Sequence, residues 1–164
     1  MKQPDYQSEP TDLDRLLNLI SFTAMAGLLV YAAWIYPQLP DRIPTHFNIR
    51  GEPDDYGPKT IFLLFPGIAL ALFVLFSVIS RKPQNYNYPF KITPENADRQ
   101  YRLANALMTT IKTTVILLMG YLAYGTAQVA LGKSKGLGGS FLAVFLILTF
   151  GSIAYYFWKA YKAK

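Results

Sequence analysis

The sequence predicts an all-α integral membrane protein, in which four transmembrane helices run up and down as a bundle around an ordered extracytoplasmic loop. Three observations carry this. Only 16% of the 164 residues are charged while 52% are hydrophobic, below the charged share of a soluble domain. The charges are absent from long runs and gathered between them. Four such runs are each long enough to cross a hydrocarbon layer, at about 16–36, 60–80, 105–131 and 141–158.

Residues 1–10 are polar and contain Pro4 and Pro10, and read as a loose tail before a single domain over 11–164. Thr11 with Asp14 three residues on has the form of a capping box. From Leu16 to Tyr36 the chain is apolar apart from Asn18, Ser21 and Thr23. These ~21 residues at ~1.5 Å each span ~31 Å, about one hydrocarbon thickness. Trp34 and Tyr36 then fall at the far interface, where amphipathic rings are favoured. The leader is acidic rather than basic, which favours a retained span over a cleaved signal peptide.

After the loop, Pro58 suits a first helical position, and Thr60 to Ser80 carries no charge. Pro66-Gly67 should kink that second helix, and Gly67 with Ala71 forms a small-residue pair that would let another helix approach. Arg81-Lys82-Pro83 stops it. Thr93-Pro94-Glu95 is a helix start for a third helix reaching Leu131, with Gly132 as its C-terminal cap. Ser140 can cap the fourth, whose end, Tyr155-Tyr156-Phe157-Trp158 beside Lys159, Lys162 and Lys164, has the look of an aromatic belt next to a cationic tail.

The net charge is +6. The basic residues flank apolar runs and no recognition motif accompanies them, so no nucleic-acid partner is expected; the partner is the lipid bilayer. Ten lysines and arginines lie on the side of the termini and the 81–104 loop, against five on the side of the 36–59 and 132–140 loops. The positive-inside rule then puts both termini on the cytoplasmic side of the cell membrane and the histidine loop outside. The absence of cysteine removes disulfides, thiolate metal sites and a cysteine nucleophile.

The 36–59 loop holds the only histidine and four of the ten acidic residues. Pro37, Pro40 and Pro44 stiffen it, Thr45-His46-Phe47-Asn48 can be extended, and Gly51 permits a turn. Its pattern, Leu39-Pro40-x-x-Ile43-Pro44-x-His46-Phe47-Asn48-x-x-Gly51-x-x-Asp54-x-x-x-x-Lys59, resembles the signature of the bacterial membrane-protein family of unknown function 1648. That domain also forms the first part of immunity proteins resembling the one against the sporulation-delay toxin. The resemblance implies a membrane protein with this loop as its hallmark; the second half of the chain carries no match to the immunity proteins, and Pro58 departs from the small polar residue expected there.

Pro44, His46, Phe47, Asn48, Gly51, Asp54 and Lys59 are therefore the candidate ligand-binding or loop-organising residues. In one reading His46 and Asn48 bond the loop's own backbone and Asp54 pairs with Lys59. In a second the loop recognises a peptide, lipid or protein. In a third His46 with Glu52, Asp54 and Asp55 holds a metal. No catalytic set and no cofactor motif is present. Lys112, with Thr109 and Thr113, is the intramembrane polar candidate: a transport pathway if it lies at mid-bilayer, or a lysine that snorkels to the interface, the favoured expectation. Gln128, near the outer end, could bond another helix or the histidine loop, or stand in solvent. The functional expectation is a small accessory, immunity or sensing protein, with a transporter or channel subunit, or a metal-dependent membrane enzyme, as the alternatives.

Overall fold

The computed structural model describes Pro4 and residues 9–164; most of the polar tail expected at 1–10 lies outside the described residues. Four helices are long and apolar enough to cross a bilayer, which makes this a multi-pass membrane protein. They are α1 (Asp12–Ile35), α2 (Leu64–Ile79), α3 (Ala97–Ala130) and α4 (Phe141–Lys162). Between α1 and α2 the loop is not irregular but folds into an antiparallel hairpin, β1 (Arg42–Phe47) and β2 (Pro53–Pro58). One end of the molecule thus carries the hairpin and the α3–α4 loop, and the other carries the termini and the α2–α3 loop.

α1 begins with the capping box read from sequence: Asp14 N donates to Thr11 Oγ1 and Thr11 N donates to Asp14 Oδ2. Its buried side, Ser21, Met25, Leu28, Ala32 and Ile35, recurs at spacings of three and four, one stripe of a helix. That stripe meets Ile116, Ala123 and Ala127 of α3, and Ala69 of α2 joins the same cluster. Hydrocarbon tails are as apolar as leucine, so burying Leu or Ile here gains little from leaving the solvent; small residues and polar contacts hold such helices together. Leu13, Leu19, Phe22, Val30, Leu70 and Ile147 accordingly remain on the outside.

The second span departs from the expectation at its start. Lys59–Leu63 is a 3-10 turn and the α-helix proper begins only at Leu64. Pro66 therefore falls in the first turn, where its missing N–H leaves no bond unmade. Gly67 and Ala71 are exposed and receive no helix of this chain, because the packing side is Phe62, Pro66 and Ala69.

α3 is the axis of the molecule and packs against the other three helices. Gly132, at φ 69°, ends it as expected. Ser140 stands at the N-cap of α4 but makes no side-chain capping bond. α4 touches α3 near its two ends. At one end Tyr156 and Ala160 pack on Ala104 and Gln100 Nε2 donates to Ala160 O at 2.9 Å. At the other, Phe141 stacks on Tyr121 at 4.7 Å. The belt-and-cation pattern is realised as lysine over aromatic rings, Lys162 on Trp158 at 4.2 Å and Lys164 on Tyr161 at 4.0 Å.

Candidate functional site

The hairpin is anchored from below and shaped from above. Ile43 of β1 and Phe62 of the 3-10 turn are fully buried in the cluster that joins α1, α2 and α3. The turn is organised by Asn48. Its Oδ1 accepts from Arg50 N at 2.8 Å and Glu52 N at 3.1 Å, while Gly51 N donates to Asn48 O at 2.8 Å. Gly51 has φ 76°, a conformation other residues resist.

The strands are out of simple register on either side of His46. Such bulges re-aim side chains, and here His46 Nδ1 lies 2.6 Å from Asp54 Oδ1. Both side chains are solvent-accessible. Asp55 takes Thr45 Oγ1 instead, at 3.1 Å, and Glu52 lies against Asn48 and Arg50. The four weak metal candidates thus point to different partners, and among the described residues no group of three His, Cys, Asp or Glu could hold a metal ion.

The expected pairing of Asp54 with Lys59 does not form. Lys59 sits on the other side of the strand pair, where Nζ donates to Leu39 O at 3.3 Å and lies 3.6 Å from Asp41 Oδ1. It ties the end of β2 back to the segment leaving α1. Asn48 does bond the loop's own backbone, as one reading held, whereas His46 bonds a carboxylate.

Residues that the sequence did not single out complete the site. The α3–α4 loop folds over the hairpin turn: Leu137 N donates to Gly51 O at 2.7 Å, and Tyr121 OH donates to Leu137 O. A Cβ on Gly136 would strike Gly51 O, and one on Gly51 would press on the Gly138 backbone at 3.0 Å, so both glycines let the two loops approach. Between β1, the 137–142 segment and α3 lies a cleft of about 250 Å3, lined by Pro44, His46, Phe47, Phe65, Phe141 and Leu142 among others. Thr126 of α3 also lines it; the residue is fully buried and its Oγ1 has no partner among the described residues. A glycine pair separated by 85 positions and one of the five threonines of α3 give no signal in one sequence.

The second polar centre lies toward the terminal end. Lys112 does not snorkel: it is 4% exposed and points inward, its Nζ donating to Asn18 Oδ1 of α1 at 2.6 Å and Ser77 Oγ of α2 at 3.3 Å. The Phe73 ring lies beneath it at 5.2 Å. Thr113 Oγ1 bonds Leu17 O and Thr109 O. Next to it a small polar cleft of about 90 Å3 is lined by Asp14, Asn18, Ser80, Arg102, Asn105 and Thr109. Gln128 faces Tyr31 of α1 rather than the hairpin.

Residues 24–70, from the middle of α1 through the hairpin into α2, match the model of a domain of unknown function (DUF1648). A protein from Archaeoglobus fulgidus, itself described only as an uncharacterized protein, is 32% identical over 126 residues, covering 68% of this chain and 68% of the relative. No solved structure matches the chain. The chain belongs to the family of that archaeal protein, and its similarity to the domain of unknown function runs from within the first span to within the second.

Proposed function

We propose that this is a non-enzymatic accessory, immunity or sensing protein of the cell membrane, whose hairpin end faces outward and recognises a peptide or protein. The observation that carries the reading is the cleft between β1 and the α3–α4 loop. It is partly open and walled by aromatic and aliphatic side chains, with His46 and Asn48 among its lining. Few but placed polar groups in a largely apolar recess are what a recognition site requires. The outward orientation is supported by the charge count. Among the described residues the terminal end holds Arg15, Arg81, Lys82, Lys91, Arg99, Arg102, Lys159, Lys162 and Lys164, and the hairpin end Arg42, Arg50, Lys59, Lys133 and Lys135.

The test is photo-crosslinking from position 49, at the mouth of the cleft, in intact cells. A partner captured there should be lost in Leu142→Trp, which fills the cleft, while the variant inserts and folds normally. Equal capture by both would contradict the reading. One observation favours a second reading, a subunit of an oligomeric transporter or channel: Lys112 is buried among polar groups of three helices. Flux into proteoliposomes that is indifferent to Lys112→Met would dispose of it.

A further inference from the structure

The last turns of α4 carry charge that nothing in the protein answers. From Arg99 to Lys164 the chain has eight lysines and arginines and no aspartate or glutamate. At the terminal end Asp12 pairs with Arg15, Asp98 pairs with Arg102, and Asp14 serves the α1 cap. Among the described residues no ion pair reaches Lys159 or Lys162. Both are exposed, and what they touch is aromatic. Lys162 Nζ lies 4.2 Å from the centre of the Trp158 ring, and Lys159 Nζ lies 5.6 Å from that of Tyr155.

These four residues form one stripe. At 3.6 residues per turn, positions 155, 158, 159 and 162 fall within about 100° of one another around the helix. α4 packs on α3 through Tyr156 and Ala160, which point elsewhere, and the Tyr155 and Trp158 residues are 58% and 51% exposed. On a membrane-spanning helix the neighbour of such a stripe is lipid. Tyrosine and tryptophan settle at headgroup level, and Lys162 stands one turn, ~6 Å, farther along than Trp158. Rings with ammonium groups just beyond them match one molecule in the same order, a phospholipid with its apolar part below and its phosphate above. A dissolved acidic peptide would supply the charge and leave the rings uncovered. A zwitterionic lipid would cover the rings, but its own cation offsets its phosphate.

We propose that Tyr155, Trp158, Lys159 and Lys162 form a site selective for an anionic phospholipid of the phosphatidylglycerol type, its phosphate held by the two ammonium groups. The site is independent of the outer cleft and of its guest.

The two tryptophans of the chain, Trp34 and Trp158, lie at opposite ends of the molecule, so each end can be read alone. The full chain carrying Trp34→Phe is placed in phosphatidylcholine vesicles, and Trp158 emission is quenched with brominated phosphatidylglycerol or brominated phosphatidylcholine. Phosphatidylglycerol should be preferred by about fivefold or more, the worth of at least one lysine beside an anionic lipid. Replacing Lys159 and Lys162 together by glutamine should make the two lipids equal, and replacing both by arginine should keep the preference. Read at Trp34 in Trp158→Phe, the two should also be equal, because Arg50 and Lys59 at that end have acid partners. Lys162→Gln alone should lower the preference more than Lys164→Gln, since Lys164 lies over Tyr161 and Phe90 on another face.

Equal quenching by the two lipids around Trp158, or a preference that survives loss of both lysines, would overturn the site. A drop in Lys164→Gln as large as in Lys162→Gln would overturn it too, by making the preference a matter of net charge. Inorganic phosphate at constant ionic strength should leave the preference intact; its collapse would overturn the lipid as occupant in favour of a dissolved anion.

Discussion

At position 112 a lysine ammonium is held by one amide oxygen and one hydroxyl, inside helices otherwise given to Met, Leu and Ala. Removing an acceptor from a buried charge costs more than removing the charge itself. Asn18→Leu deletes the 2.6 Å bond and should lower stability by about 1.5–3 kcal/mol, read as thermal unfolding in detergent. Lys112→Met deletes the charge with its demand for partners and should stay within ~1 kcal/mol of the parent. The reverse ranking would mean that the ammonium has a structural role these contacts do not describe. The sequence showed that Lys112 was unusual but favoured a lysine snorkelling to the interface, which its burial overturns. Which way a helix turns one residue depends on where neighbouring helices put Asn18 and Ser77, 94 and 35 positions away. His46 and Asn48 were legible as site residues because Pro, His, Asn and Gly cluster there.

The elements were legible where lipid or local chemistry dictates them. The four apolar runs, the Thr11–Asp14 cap and the Gly132 stop all follow from patterns within a few residues, and all are present. The hairpin was reduced to a short extended piece because Pro44, Pro53 and the irregular register around His46 erase the alternation that announces strands. The α3–α4 loop was read from sequence only as a connection over 132–140, although it closes over the turn. Gly136→Ala tests that closure: a methyl 2.2 Å from Gly51 O must displace backbone. The variant should lose about 1–3 kcal/mol and protection of the Leu137 amide in hydrogen exchange. Unchanged protection would mean that the two loops do not touch in solution. The terminal end has its own signature in the 83–96 segment, where burial pushes the Tyr86 phenol up to about 12 and raises Tyr88 as well. A raised phenol favours the neutral, folded form. Its stabilising contribution is whole below the ~10 of a free phenol and is lost as pH rises through about 12. Spectroscopic titration of phenolate should therefore show a late component that Tyr86→Phe removes.

At the scale of the whole molecule, four helices and one small sheet divide the labour. α1, α2 and α3 form the packed body around Met25, Leu28, Ile116 and Ala123. α4 packs on α3 through Phe141 at one end and Tyr156 and Ala160 toward the other, and its first two turns line a groove of about 380 Å3 against α3. The sheet and the α3–α4 loop form a cap over the hairpin end. Composition makes the membrane assignment, since no water-facing body would leave Leu19, Phe22, Val30, Ile147 and Phe150 bare. The cap depends on contacts between distant segments and was visible only in part. The account's central claim is that this cap is displayed outside the cell while both chain ends stay within it. The chain has no cysteine, so single cysteines can be placed without background. Asp54→Cys, at the exposed edge of the hairpin, should react with a membrane-impermeant maleimide on intact cells. Lys164→Cys should react only after the membrane is opened. Labelling of Lys164→Cys from outside, with Asp54→Cys protected, would contradict the orientation and with it the outward recognition surface.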